Sequence, residues 1–168
     1  EFRSSQTPDY KKLLGKEDHI IFVYGTLKRG HKRHKVLEGS KYLGPASTAF
    51  HHYEMMDSGV YYPVVFEETK PDRCGRIDGE AYAVSTETLV KLDNIEGNPF
   101  FFKRKPVSIV LKSQILHATN KGVVVQAHTY LGQYRTEGYT TQPRAYNQGP
   151  DNKPVWSYKW YPYDERES

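Results

Sequence analysis

The hydrophobic residues of this chain fall mainly in short runs rich in β-branched and aromatic side chains, a pattern typical of strands. The first run covers residues 19–24 and ends at Gly25, so it predicts a buried strand followed by a turn. Further strand-like runs cover residues 41–66, with breaks at Gly44-Pro45 and Asp57-Ser58-Gly59, and then residues 76–84, 101–111 and 123–130. Pro63 cannot donate a ladder hydrogen bond, which places its run at a sheet edge or a bulge.

Helix signals are fewer than strand signals. Ser85 can cap a helix whose first turn holds Glu87 and whose end is marked by Gly97, so we expect a helix to about Ile95. A second, short helix is expected within the basic stretch 31–38, with a glycine as its C-cap. Because strands dominate, the pattern favours an α+β fold with a curved or closed sheet.

The organisation of the chain is that of one domain with two flanking segments. Its 168 residues fit a single domain, and no internal repeat is present. We expect an N-terminal extension over residues 1–18, a domain over 19–134 and a polar, aromatic-rich tail over 135–168. Side chains such as Trp156 and Trp160 are too large and too numerous to stay exposed, so the tail should pack on the domain or on a partner.

Composition and charge restrict the classes of function. The formal net charge is +4 and the pI is near 9.0, a mild basic bias that permits acidic partners without demanding nucleic acid. The apolar runs are too short to span a bilayer, and the polar N-terminus gives no sign of a signal peptide. Cys74 is the only cysteine, which favours a reducing compartment, so we expect a cytoplasmic protein.

Glu96 has an unusual place in the hydrophobic pattern. At 100° per residue, Leu89 and Leu92 define the apolar stripe of the predicted helix. Glu96 projects along the same stripe, with Asp93 beside it. A carboxylate that points inward must be paired, hydrogen-bonded or neutral, and apolar surroundings raise its pKa towards the range of a general base. The alternative is that the helix frays before Gly97 and that Glu96 is solvated.

The turn Tyr24-Gly25-Thr26-Leu27 follows the first predicted strand directly. Gly25 permits a tight bend and the close approach of a ligand to the main chain. Successive N–H groups in such a bend form a concavity that can hold a carboxylate or an oxyanion, and both possibilities stay open. An ordinary strand-to-loop turn is the alternative interpretation. The spacing of a phosphate-binding P-loop is absent.

Two other kinds of site receive less support from the sequence. The chain has seven histidines but no H-E-x-x-H or cysteine–histidine ligand spacing, so no metal site is expected. The stretch 31–35 is interpreted instead as a solvated basic face. Basic and aromatic residues lie together over 101–105 and 156–163, a combination that can stack nucleic-acid bases. No recognisable RNA-binding motif accompanies them, so we expect no nucleic-acid partner.

Several motifs together resemble a known family. Val23-Tyr24-Gly25-Thr26-Leu27-Lys28-Arg29-Gly30 is similar to the N-terminal signature of the γ-glutamylcyclotransferase-like superfamily. Its Lys-Arg-Gly extension resembles the γ-glutamylamine cyclotransferase (AIG2-like) branch. The resemblance continues, in the right order, through Tyr62-Pro63-Val64-Val65, Gly79-Glu80-Ala81-Tyr82-Ala83-Val84, Leu92-Asp93-Asn94-Ile95-Glu96-Gly97 and Lys103-Arg104. These motifs cover about residues 19–111, and the tail beyond residue 134 is not covered.

The resemblance implies a fold, a reaction and a set of site residues. The fold is a small mixed closed β-barrel of about six strands with flanking helices. Glu96 is implied as the catalytic residue, and Tyr24, Gly25, Thr26 and Leu27 as the substrate-binding residues. The implied reaction is an intramolecular aminolysis, in which the α-amine of a small-molecule γ-glutamyl substrate attacks its own γ-carbonyl and leaves 5-oxoproline and a free amine. No cofactor or metal is implied, because the nucleophile belongs to the substrate.

One position departs from the pattern of the family. Members often carry a tyrosine shortly before the arginine that opens the strand after the glutamate, and Phe102 stands at the matching position here. Tyr62 is a candidate replacement for that hydroxyl. The departure keeps open another γ-glutamyl or acyl substrate, or a non-catalytic ligand-binding or nucleic-acid-binding module on the same fold. The leaving amine and the oligomeric state are also open.

Overall fold

The computed structural model describes residues 8–57, 62–68, 70–112, 124–134, 140–141, 144–145 and 155–157. Within these residues the chain forms ten strands, two α-helices and one 3₁₀ helix. In chain order they are α1 (Tyr10–Leu14), β1 (His19–Val23), the 3₁₀ helix (His34–Leu37), β2 (Lys41–Thr48), β3 (Tyr53–Asp57), β4 (Pro63–Glu67), β5 (Arg76–Val84), α2 (Thr86–Glu96), β6 (Phe102–Leu111), β7 (Val124–Gly132), β8 (Thr140–Thr141), β9 (Arg144–Ala145) and β10 (Val155–Trp156).

Five strands close a barrel in the order β1, β7, β6, β2, β5 and back to β1. β1 is parallel to β7, with Ile21 opposite His128, and the other four pairings of the ring are antiparallel. β10 extends β5 in parallel, and β4, β3 and β8 form a second sheet. The predicted class, an α+β fold with a small mixed closed barrel and flanking helices, is confirmed.

β1 is buried on both faces, which explains its continuous hydrophobic run. Ile20 and Phe22 belong to the cluster of buried side chains that fills the barrel. The alternate residues Ile21 and Val23 pack in a second cluster, which also contains side chains of α2. Helix α2 therefore lies against the outer face of the barrel, and β1 connects the two clusters.

The predicted helix is present as α2, and both of its ends are capped as expected. The hydroxyl of Ser85 accepts a hydrogen bond from the main-chain N–H of Thr88 at 3.1 Å. Gly97 adopts a left-handed conformation, with φ of 67°, that terminates the helix. The helix extends one residue further than predicted, so Glu96 is its last residue and is not part of a frayed end.

One expectation about local structure is wrong, and another is met only in part. Strand β2 does not break at Gly44-Pro45, because a shift in its register against β5 after Tyr42 keeps the pairing continuous. The short helix expected within 31–38 is present as the 3₁₀ helix His34–Leu37, and its C-cap is Glu38 and not a glycine. Leu37 is its single buried residue, so there is no apolar stripe to hold a longer helix against the barrel.

Both flanking segments contribute residues to the described structure. In the N-terminal extension, Leu13 of α1 packs in the barrel cluster. In the tail, β10 places Trp156 in the same cluster, fully buried. The predicted break at Ser58-Gly59, the residues 113–123 that include the end of the gap between the strand-like runs 101–111 and 123–130, and Trp160 lie outside the described residues, and the domain boundaries stay predictions. No helix in the described part of the chain is long and apolar enough to cross a membrane.

Candidate active site

A cavity of about 320 Å³ opens where the turn after β1 meets the C-terminal end of α2. Strands β6 and β7 and the start of β4 complete its wall. The five residues that the sequence singled out all line it: Tyr24, Gly25, Thr26, Leu27 and Glu96. The structure therefore brings the turn and the glutamate, which are about seventy residues apart in sequence, into one site.

The Glu96 side chain is only 11% exposed, so the prediction that it points inward is confirmed. Burial disfavours the charged carboxylate and raises the pKa of Glu96 from 4.5 to about 7, against the opposing effect of Arg33. The nearest Arg33–Glu96 contact joins Nη1 to Oε2 at 3.7 Å. At neutral pH such a carboxyl group is present in both protonation states, which suits the transfer of a proton in either direction.

Arg33 is a site residue that the sequence analysis missed. It belongs to the basic stretch 31–35, which the sequence predicts to be a solvated face, and its side chain is 47% exposed. Its main-chain N–H nevertheless donates to the carbonyl of Thr26 at 3.0 Å, which ties the basic stretch to the turn and brings the guanidinium to the cavity. Nothing in the sequence pattern distinguishes Arg33 from its neighbours Lys32 and Lys35.

The turn presents its main chain to the cavity. A side chain at Gly25 would place its Cβ 2.9 Å from Cγ of Pro63, so the turn packs this closely only because it has glycine there. The carbonyl of Gly25 accepts from the N–H of Lys28 at 3.0 Å, and the side chain of Leu27 is buried in the second cluster. Among the described residues, no hydrogen bond engages the N–H groups of Gly25, Thr26 and Leu27. These donors are the part of the turn that can hold a bound anion.

The Tyr24 side chain fixes the turn in place. Its hydroxyl donates to the carbonyl of Tyr130 at 2.6 Å and accepts from the N–H of Val65 at 3.4 Å. Burial, and then the negative charge of Glu96, raise the pKa of the Tyr24 hydroxyl, so it stays protonated. The side chain therefore joins the end of β1 to β4 and β7 as a neutral hydrogen-bonding group.

Asp93, the carboxylate beside Glu96 on the helical wheel, has a different environment. Nε of Arg104 lies 2.9 Å from its Oδ1, and Nη2 lies 3.3 Å from its Oδ2. The hydroxyl of Tyr130 donates to Oδ1 at 2.6 Å. Asp93 therefore anchors the last turn of α2 to β6 and β7. Sequence spacing could not reveal these partners, because they lie on β6 and β7, 11 and 37 residues further along the chain.

Phe102 and Tyr62 both line the cavity, with their ring centroids 6.4 Å apart. The structure thus places a phenol close to the position where the family pattern led us to expect one. Phe101, which is 80% exposed, lies at the mouth of the same cavity. Among the described residues, no group of three histidine, cysteine, aspartate or glutamate side chains is arranged to hold a metal ion.

Comparisons with known proteins identify a family for this chain. Residues 21–163 match the family model described as gamma-glutamyl cyclotransferase, AIG2-like. A Methanocaldococcus jannaschii protein, named provisionally as a gamma-glutamylcyclotransferase, is 36% identical to this chain over 94 residues. The match covers 55% of this chain and 73% of the archaeal protein. Human gamma-glutamylaminecyclotransferase is 32% identical over 101 residues, covering 58% of this chain and 63% of the human protein, slightly less than two thirds.

The fold itself has a solved counterpart. The crystal structure of an AIG2-like protein from Mus musculus superimposes with a TM-score of 0.62, covering 86% of this chain and 97% of the mouse chain at 24% identity. At that identity the likeness supports the fold alone. The family assignment comes from the family model, which spans most of this sequence. The chain therefore belongs to the gamma-glutamyl cyclotransferase, AIG2-like family.

Proposed function

We propose that this chain is a γ-glutamylamine cyclotransferase, which cyclises the γ-glutamyl group of a γ-glutamyl amide and releases 5-oxoproline and a free amine. The observation that carries the proposal is the buried carboxyl of Glu96, with a pKa of about 7, in the same cavity as the turn Tyr24–Leu27. Family membership supports a γ-glutamyl cyclotransferase activity. The similarity to the human gamma-glutamylaminecyclotransferase supports an amine as the leaving group.

Substrate binding is assigned to the main chain of the turn. The N–H groups of Gly25, Thr26 and Leu27 would hold either the α-carboxylate of the γ-glutamyl group or the oxyanion that forms at its γ-carbonyl. A substrate folded in this way keeps its α-amine against its own γ-carbonyl. Well-oriented intramolecular reactions reach effective molarities of about 10⁵–10⁸ M, so positioning supplies much of the rate.

Proton transfer is assigned to Glu96. Its carboxylate takes a proton from the α-ammonium group, and the freed nitrogen attacks the γ-carbonyl carbon to form the five-membered ring and then loses a second proton to water. The original amide C–N bond then breaks, and Glu96 returns a proton to the departing amine. A pKa of about 7 allows Glu96 to accept the first proton and to donate the second near neutral pH. The scheme needs no cofactor or metal, because the substrate supplies the nucleophile, and the single cysteine supports a cytoplasmic location.

The experiment is an incubation of the protein with γ-glutamyl-ε-lysine and, separately, with a γ-glutamyl dipeptide, followed by mass spectrometry for 5-oxoproline. The proposal predicts product from γ-glutamyl-ε-lysine and little or none from the dipeptide. Boiled protein should give no product above background, and the Glu96→Gln variant should form product about 10²–10⁴-fold more slowly than the wild type. Product from neither substrate would contradict the proposal and favour another acyl substrate or a binding role.

A further inference from the structure

We infer that Arg33 binds a carboxylate that the departing amine carries at the far end of an apolar stem, so that the enzyme favours γ-glutamyl amides of such amines over amides of the same amines without that carboxylate. This inference rests on the proposed function and deepens it, since it names a feature of the substrate and the residue that selects it. It concerns a side chain to which the mechanism assigns no step.

Arg33 is the one cationic side chain among the described residues that line the cavity. Its guanidinium presents five N–H donors in a planar fork that matches a carboxylate. The contact of Nη1 with Oε2 of Glu96 is 3.7 Å, longer than the roughly 2.7–2.9 Å of a strong charge-assisted hydrogen bond. The guanidinium is therefore near Glu96 without being fully engaged by it, and most of its donors can bind a second anion.

Arg33 lies where the departing half of a bound substrate would extend. Glu96 must contact both reacting nitrogens in turn, so a group beside Glu96 is also close to the leaving amine. The Glu96 side chain is 11% exposed and that of Arg33 is 47% exposed, which places Arg33 on the solvent side of the carboxylate. The γ-glutamyl half is held against the main chain of the buried turn. The other half must therefore extend towards the mouth of the cavity, where Arg33 lies.

The mouth also offers an apolar surface for the stem of such an amine. Phe101 lines the cavity and is 80% exposed, and its ring packs over Gly97, directly after Glu96. An aliphatic stem can lie against this ring while a terminal carboxylate reaches the guanidinium. An amine with an apolar stem and a distant carboxylate satisfies both surfaces at once, whereas the same amine without a carboxylate leaves Arg33 unused.

A pair of substrates that differ only in this carboxylate tests the inference. γ-Glutamyl-ε-lysine carries it, and γ-glutamylcadaverine is the same amide without it. The values of kcat/KM for both are measured on the wild type, on Arg33→Gln and on Lys35→Gln, which removes an equal charge from an exposed residue of the same stretch that does not line the cavity. The ratio of the two values cancels any effect of Arg33 on the pKa of Glu96, because both substrates experience that effect equally.

The wild type should favour the carboxylate-bearing substrate by about tenfold or more, the scale of a charge-assisted hydrogen bond in a partly buried site. Arg33→Gln should bring the ratio close to one by raising KM for γ-glutamyl-ε-lysine, and Lys35→Gln should keep the wild-type ratio. Arg33→Lys, which keeps the charge without the fork, should give an intermediate ratio. Matching thermal unfolding curves establish that the variants are folded.

Each other outcome has a definite meaning. A ratio near one in the wild type, or an unchanged ratio in Arg33→Gln, overturns the inference, while formation of 5-oxoproline in those same assays leaves the proposed function standing. The absence of 5-oxoproline from both substrates with wild-type protein overturns the proposed function, and the inference with it.

Discussion

The Nη1 atom of Arg33 lies 3.7 Å from Oε2 of Glu96, and this pair joins the basic stretch after β1 to the last residue of α2. Burial raises the pKa of Glu96 to about 7, and the positive charge of Arg33 limits the rise. The two effects together set the pH at which Glu96 changes from a proton donor to a proton acceptor.

Removal of the Arg33 charge should move the activity profile to higher pH. In Arg33→Gln the pKa of Glu96 should rise above about 7, because the charge that favours its ionised form is lost. Since the ionised form is the base, the rising limb of kcat/KM against pH should shift upwards for any single substrate. The profile is measured from about pH 5 to 9, a range that spans the pKa of about 7 of Glu96 in the substrate-free protein. A limb at the wild-type pH would show that Arg33 does not influence the base.

Glu96 should also make folding stability depend on pH. Its pKa in the folded chain, about 7, exceeds the ordinary value of 4.5, so the folded state binds more protons than the unfolded state between these values. The contribution of Glu96 to the free energy of unfolding is therefore fully present below about pH 4.5 and is lost as the pH rises through about 7. Glu96→Gln abolishes the titration and should be more stable than the wild type by about 1–3 kcal/mol at high pH.

Urea unfolding of the wild type and Glu96→Gln at low and high pH measures this difference. The variant's advantage should be larger above the folded pKa than below the unfolded one. An advantage of equal size at both pH values would contradict the account, because it would show that Glu96 does not titrate with a raised pKa in the folded protein.

The anchor of α2 should contribute to stability as well as to the site. Arg104→Ala leaves the partly buried Asp93 carboxylate with Tyr130 as its remaining partner, at an expected cost of about 1–3 kcal/mol. The exposed Glu87–Lys91 pair on the same helix is a matched control, and Lys91→Ala should cost less than about 0.5 kcal/mol. Equal losses in the two variants by urea unfolding would show that the Asp93 contact is no stronger than a surface pair.

Tyr62 should supply the hydroxyl that is absent at position 102. The Tyr62 and Phe102 rings both line the cavity, with centroids 6.4 Å apart. We expect the Tyr62 hydroxyl to form a hydrogen bond with the substrate or the leaving group, so Tyr62→Phe should lower kcat/KM about tenfold. The double variant Tyr62→Phe/Phe102→Tyr should recover part of the loss, because it restores a hydroxyl close by. Full activity in Tyr62→Phe would show that neither position needs a hydroxyl in this enzyme.

The parts of the structure that the sequence predicted correctly depend on local patterns. The continuous apolar run of β1 follows from its burial on both faces. The caps of α2 and the inward direction of Glu96 follow from helical periodicity and from Ser85 and Gly97. The roles of Glu96 and of the turn in catalysis and binding stay predictions until the assays are done.

The parts that sequence reasoning missed depend on contacts distant in sequence. Asp93 is held by Arg104 and Tyr130, and the latter reaches it only because the barrel places β7 beside β1. Arg33 reaches the cavity because its N–H bonds to the turn, which a run of basic residues does not reveal. The continuity of β2 through Gly44-Pro45 depends likewise on a register shift against its neighbour.

The central claim is that the buried carboxyl of Glu96 transfers the protons of a γ-glutamyl cyclisation. The most direct measurement is the rate of 5-oxoproline formation from γ-glutamyl-ε-lysine by Glu96→Gln, with substrate binding followed by calorimetry on the same preparation. Glutamine keeps the volume but cannot exchange the proton, so the account predicts wild-type binding and a loss of turnover of about 10²–10⁴-fold. Turnover at the wild-type rate in the folded variant would contradict it.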